Sequence, residues 1–141
     1  MIVVAILILA VLTTIGIAGI TGSNTERQIA TSEQIHKMAF YAAEAGRSYI
    51  VQNPDLYYED NTTIGGSLSF PDPTDASDEF DLSTLQSANG TVGYLGSSLP
   101  PRGSGYEVGS YKSHRYWITS NGWGPRNSQS RIEAGFYRIG F

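Results

Sequence analysis

The first twenty residues decide what this chain can be. Residues 1–20 carry no charged side chain and, apart from Thr13 and Thr14, consist of apolar residues and glycine. As a helix rising ~1.5 Å per residue, such a run crosses a hydrocarbon core of roughly 30 Å. A secretory signal would show a basic stretch, a shorter apolar core and an A-x-A-like cleavage site, and none of these precedes or interrupts the run. The segment is therefore expected to be retained, with Met1 the first residue of a processed chain rather than a translation start.

The helix need not stop where the apolar run does. Residues 26–52 contain no proline and are rich in Ala, Glu, Gln, Arg and Ile, and the first proline is Pro54. A residue before proline is pushed out of the α region, so the helix should end near Gln52 or Asn53. Ile35, Ala39, Ala42, Gly46 and Tyr49 recur at spacings of three and four and make one apolar stripe, with Glu33, Lys37, Glu44, Arg47 and Gln52 at polar positions. Between the two halves lie Gly16, Gly19 and Gly22, followed by Ser23, Asn24 and Thr25. Each glycine costs about 1 kcal/mol of helix propensity relative to alanine. Either the helix melts or bends there, or the glycines admit close packing of a neighbouring helix.

Residues 54–141 hold most of the Gly, Ser, Pro, Asn and Asp and read as loop-rich β structure. Residues 61–101 are the most irregular, and 70–81 and 95–105 are expected to be loops. Strands are expected at 106–108, 115–120 and 130–139, where β-branched and aromatic residues alternate with polar ones. Asn121-Gly122-Trp123-Gly124-Pro125 is a turn cluster between the last two strands, in a loop that can reach Asn127 or Ser128. A sheet of three or four such strands has one apolar face in need of a cover, and the helix stripe is the available cover. Small residues at 42–46 let a sheet approach the helix axis, with Phe40, Tyr49, Tyr116, Trp117 and Ile118 on the flanks. The expected class is α+β. A helix over 1–53, apolar at 1–22 and amphipathic at 26–53, packs its C-terminal half on an antiparallel β head formed by 54–141.

The N-terminal residues resemble a known family. The apolar run ending Leu12-Thr13-Thr14-Ile15-Gly16, then Glu26-Arg27-Gln28-Ile29-Ala30, then Met38-Ala39-Phe40-Tyr41-Ala42-Ala43-Glu44-Ala45-Gly46, look like the N-terminal region of type IV pilins and pseudopilins, most closely the PilX-type pilins. The C-terminal Tyr116-Trp117-Ile118-Thr119-Ser120-Asn121-Gly122 and Gly124-Pro125-Arg126-Asn127-Ser128 look like the closing hairpin of such proteins. The resemblance implies a structural subunit of an extracellular filament, anchored by a single span in the inner membrane before assembly. It further implies a leader removed by a prepilin peptidase, methylation of the new N-terminal residue, here Met1, and an assembly machinery as partner. The filament core would be a homopolymer contact made by Met1, Ile2, Val3, Val4, Ala5, Ile6, Leu7, Ile8, Leu9, Val11, Leu12 and Ile15. Most pilins of the family carry a glutamate at the fifth mature position, where this chain has Ala5, and no acidic residue occurs before Glu26. The same absence is familiar in tip subunits such as the K-type pseudopilins, so a low-abundance tip, priming or adhesive component is the alternative.

Composition closes off other chemistry. A length of 141 residues suits one domain or one domain plus an anchor. With 9 Lys and Arg against 13 Asp and Glu, a net charge of −4, the chain lacks the basic footprint for nucleic acid. Cysteine is absent, which excludes disulfides, thiolate metal sites and a cysteine nucleophile. No G-x-S-x-G, H-E-x-x-H or P-loop pattern occurs, and His36 and His114 stand apart in sequence, so no enzyme and no resident cofactor are expected. Asp72, Asp75, Asp78 and Asp81 recur every third residue with Glu79 among them. An oxygen-rich loop of this kind can take Ca²⁺, although the spacing is not that of an EF-hand, and a solvated acidic loop is the plainer reading. Asn61 and Asn89 each begin an N-x-[ST] glycosylation pattern in an expected surface loop.

Overall fold

The computed structural model describes residues 1–58 and 63–140. It has the expected α+β layout, a long N-terminal helix followed by a small antiparallel sheet. The helix, α1, runs Ile2–Gln52. The strands are β1 (Ser67–Phe70), β2 (Phe80–Ser83), β3 (Gln86–Ser98), β4 (Lys112–Gly124) and β5 (Ser128–Gly140). By its internal contacts the chain divides inside α1, into one unit of Met1–Gln34 and another of Ile35–Phe141.

The first unit is a single helix in which every residue is exposed. Its threonine side chains bond to the helix itself. The hydroxyls of Thr13, Thr21, Thr25 and Thr31 donate to the carbonyls of Leu9, Ile17, Thr21 and Arg27 at 2.7–3.0 Å, and Thr14 donates to Val11 at 2.8 Å. A hydroxyl whose proton is held in this way costs little to place in an apolar medium. The backbone is helical through Gly16, Gly19 and Gly22, so none of the three marks a melted stretch.

The second unit is built on residues 35–52 of α1. The helix ends as proline chemistry requires, since Asn53 turns its backbone N–H and its side-chain amide onto the Tyr49 carbonyl, and Pro54 opens a 3-10 turn, Pro54–Leu56. The sheet has the order β1-β3-β4-β5, and β2 also pairs with β3. β1 lies against Gly90 to Gly93 and β2 against Gln86 to Ala88, so two short strands share one edge of β3. All pairings are antiparallel. The core gathers Ile50, Tyr57, Phe70, Val92, Tyr94, Tyr116 and Ile118, with Tyr49, Phe80 and Phe136 packed against it.

Helix and sheet meet where both lack side chains. A Cβ at Gly122 of β4 would land on the Ala43 nitrogen and the Ala39 carbonyl oxygen, and one at Gly46 of the helix would strike the Ser120 hydroxyl and Ala88. Ala39, Ala42 and Ala43 are fully buried in that contact. The sheet also bonds the helix backbone directly. The Ser120 hydroxyl donates to the Ala43 carbonyl at 2.7 Å, the Gln86 amide to Met38 at 2.8 Å and the Ser128 hydroxyl to Ile35 at 3.3 Å.

The sheet departs from the sequence reading in three places, the first two for a packing reason. First, β3 crosses a region expected to be irregular, and 95–98, placed in a loop, belong to it. Its Gly90 and Gly93 are strand glycines, because a side chain at Gly90 would meet Phe70 and the Thr119 carbonyl and one at Gly93 would meet the Trp117 indole. Phe80 and Asp81, also placed in a loop, pair with Ala88 and Ser87. Second, Asn121 to Gly124 are the end of β4, and the chain turns at Pro125–Asn127 with Arg126 and Asn127 at φ near +56° and +57°. Gly122 reads as a turn residue but serves the close approach of the helix. Third, residues 106–108 form no strand, and Val108 makes only an isolated bridge to Tyr111.

Candidate assembly surface

The candidate surface begins with side chains that have nothing to cover them within the chain. Met1, Ile2, Val3, Val4, Ile6, Leu7, Ile8, Leu9, Val11, Leu12 and Ile15 are all exposed, from 49 % at Val11 to 77 % at Ile2 among the residues after Met1, and Ala5 lies among them. They are not arranged as a stripe. Apolar residues surround the helix, the pattern of a segment enclosed on all sides by lipid or by other helices. It is long and apolar enough to cross a membrane, and none of its most apolar stretch is buried inside the protein. A Cβ at Gly16, Gly19 or Gly22 would meet nothing within 4 Å, so these glycines leave shallow notches on an otherwise bulky surface.

The helix face in the second unit is already occupied. Ala39, Ala42 and Gly46 are buried and Ile35 and Tyr49 half-buried, with Tyr49 stacked on Phe80 at 4.9 Å between centroids. Ala43 and Ile50, outside the five-residue stripe, are fully buried as well, which widens the packed face to Ala42-Ala43. Phe40 and Tyr41 stay exposed and meet edge to face at 5.8 Å, so Phe40 does not flank the core. On the polar side Arg47 and Glu44 form an ion pair at 2.8 Å.

The sequence candidates for ligands and modification fall elsewhere. Asp72 and Asp75 each close a local turn, accepting from the backbone N–H and hydroxyl of Thr74 and of Ser77 at 2.6–2.8 Å. Those hydrogen bonds, the hydroxyl first, hold both carboxyls below the usual carboxylate range. Asp78 and Asp81 do not join them: among the described residues no three acidic or histidine groups gather as a metal site. The loop pattern arises from turn-building aspartates. Asn89 is not in a surface loop. It lies in β3, only 9 % exposed, where its carbonyl oxygen accepts from Asn121 at 3.3 Å and its amide donates to the Ala76 carbonyl at 3.4 Å, so a glycan has no access to it. Asn61 lies outside the described residues. His36 is exposed on the helix, whereas His114 sits among rings, its Nδ1 3.1 Å from the Tyr94 hydroxyl. Next to it the Tyr116 phenol is pushed up to about 12, by burial first and then by the Tyr57, Tyr94 and Tyr58 phenols, with Arg138 working against the shift.

The comparisons with known proteins bear on the helix. Residues 1–46 match the PilX N-terminal family model. No curated protein and no solved structure matches the chain. The match covers the apolar run and the alanine-rich segment around Glu44 that carry the resemblance, and it makes the N-terminal third of this chain type IV pilin-like. That family is one of structural proteins, and the exposed apolar helix is compatible with a membrane-anchored precursor.

Proposed function

We propose that this chain is a structural subunit of an extracellular type IV pilus-like filament, polymerising with copies of itself through its apolar N-terminal helix. The observation that carries the reading is a helix of pilin-like sequence whose large apolar side chains, from Ile2 to Ile20, are uncovered all round. Covering an apolar side chain of that size is worth about 1.5–3 kcal/mol, an upper figure because an unfolded chain buries part of it. Over the whole run the gain reaches tens of kcal/mol, enough for assembly to dominate the stability of the subunit. Before assembly the same surface is satisfied by a single crossing of the inner membrane. A prepilin peptidase and N-methylation of Met1 belong to this reading through the family resemblance, and adhesion or motility would be tasks of the assembled filament. The protein then works as a building block and not as an enzyme.

The second reading, a low-abundance tip, priming or adhesive pilin, is favoured by one observation. Ala5 stands where most of the family has a glutamate, and no acidic residue precedes Glu26. A subunit without that carboxylate has to set its register by packing and backbone contacts alone. Cryo-electron microscopy of filaments sheared from native cells, with the intact mass of their dominant subunit, separates the two. The structural reading expects this chain to tile the filament; trace amounts beside another pilin would establish the tip reading.

A further inference from the structure

Successive residues of a strand face opposite sides of its sheet, so in β4 Ser120 and Gly122 face the helix while Asn121 and Trp123 face away. Their partners in β5, Arg131 and Gln129, stand directly opposite and share that outer face. A cleft of ≈350 Å³ opens there, lined by Asn121, Trp123, Gln129, Ser130 and Arg131. This is the lower end of the ~300–1,000 Å³ usual for small-ligand sites. The side chains of its lining that share the outer face are one indole, two amides and a guanidinium, with no aliphatic side chain. The geometry is fixed by two long paired strands and by the Asn121 amide, which donates to Asn89 on the next strand at 3.3 Å.

From this lining we infer that the cleft is a binding site for a neutral saccharide. A sugar offers a C–H face that stacks on an aromatic ring and neighbouring hydroxyls that both donate and accept, which is what an indole beside planar amides and a guanidinium fork recognises. Gln129 makes no side-chain hydrogen bond with the described residues, so its amide is free for a ligand. Charge disfavours the anionic ligands. Glu133 lies 2.9 Å from Arg131, which weakens the attraction that a phosphate, a sulfate or an acidic sugar would find there. An apolar ligand would find only the Trp123 ring. The inference rests on the globular unit and does not require that the chain polymerise.

The chain has two tryptophans, and each gives its own indole N–H signal. Trp117 is packed over Gly93 and serves as the internal reference. The test is a titration of the ¹⁵N-labelled full chain in detergent micelles with the methyl glycosides of glucose, galactose and N-acetylglucosamine, and with sulfate and N-acetylneuraminic acid as anionic probes. The expected result is a saturable shift of the Trp123 indole with at least one neutral glycoside, at a dissociation constant on the order of 1 mM. The Trp117 indole stays in place. Gln129→Ala, at an exposed side chain without internal bonds, leaves the spectrum of the core intact and weakens binding about tenfold, as does Arg131→Ala. The inference is overturned if no glycoside moves the Trp123 indole at about a hundred times that concentration. It is equally overturned if both indoles move together, if the anionic probes bind more tightly, or if Gln129→Ala binds as the wild type does.

Discussion

One helix serves two regions of this molecule, and the size of its apolar residues separates them. From Ile2 to Ile20 the large ones are Ile, Leu and Val, and every one is exposed. Where the helix of the globular unit meets β4 they are Ala39, Ala42, Ala43 and Gly46, and every one is buried. Small residues bury little area themselves, but they let Gly122 and Ser120 of the sheet reach the helix backbone, where hydrogen bonds and the surrounding rings contribute the stability. The large residues from Ile2 to Ile20 would gain most from burial and yet are uncovered by the described residues. The comparison teaches that the small-residue surface serves the protein's own sheet, whereas the bulky surface is left uncovered.

The sharpest way to break that comparison is to place a charge on the bulky surface. Leu9→Glu or Leu12→Glu puts a carboxylate where lipid or neighbouring helices are expected, at a cost of about 2.5–3.5 kcal/mol per copy at mid-membrane. We expect filament formation to be abolished, as seen by electron microscopy of sheared cell-surface material, with the thermal unfolding of the globular unit unchanged. Normal filaments from either variant would sink the assembly reading. Next in size comes Gly122→Ala. The new methyl would collide with helix backbone atoms, which cannot rotate aside, so the globular unit should lose about 3 kcal/mol or more, measured by denaturant unfolding in micelles. An unchanged midpoint would show that helix and sheet are not in the close contact described.

Gly122 also marks the limit of what the sequence discloses. The apolar span, the helix end at Pro54 and the α+β class follow from local chemistry, since charge, propensity and proline geometry are properties of neighbours in the chain. Glycine is ambiguous at that level. It opens turns, and it also fits wherever another backbone or a large ring comes close. Gly90, Gly93, Gly122 and Gly124 all serve the second purpose, because Phe70, the Trp117 indole and the Ala39 turn of the helix arrive from distant parts of the chain. Local chemistry therefore does not mark β3 as a strand, and it puts the β4–β5 turn too early. Asn89 looks like a loop residue for the same reason, since its burial depends on a strand pairing with Asn121 that no local pattern announces. The polar cleft beside Trp123 had a weak signal, the alternation of Gln129, Arg131 and Glu133 along one face of a strand, but only the pairing with β4 makes it a site.

A smaller effect sharpens the account of the globular unit. The Tyr116 phenol is raised to about 12, whereas in the unfolded chain it returns to its ordinary value near 10. The folded state then holds this proton more tightly, so its contribution is complete below pH 10 and is lost as the pH rises toward 12. Unfolding of the globular unit should steepen over that window, and Tyr116→Phe, which keeps the ring against Tyr57 and Phe136, should flatten the curve. A variant with an unaltered alkaline limb would assign the effect to other tyrosines. The apolar helix should be indifferent to pH over the same range, because its first titratable side chain is Glu26.

The smallest effect comes from making one substitution on both sides of the divide. At Gly46 a methyl group meets the Ser120 hydroxyl and Ala88, so Gly46→Ala should destabilise the globular unit. At Gly16 it meets nothing, and the change should stabilise the monomeric helix in micelles by about 1 kcal/mol through propensity alone. Circular dichroism during heating reads the gain as a delayed loss of helicity. Opposite signs at the two positions would mean that the same residue type is used for packing in one region and left open in the other. If Gly16→Ala also leaves filament growth untouched, the notch at Gly16 takes no neighbouring helix; a block in growth despite a more stable monomer would place another backbone in that notch. The monomer and the filament thus weigh the same methyl group against different surroundings, and the pair of measurements separates what a glycine does for its own helix from what it does for the next one.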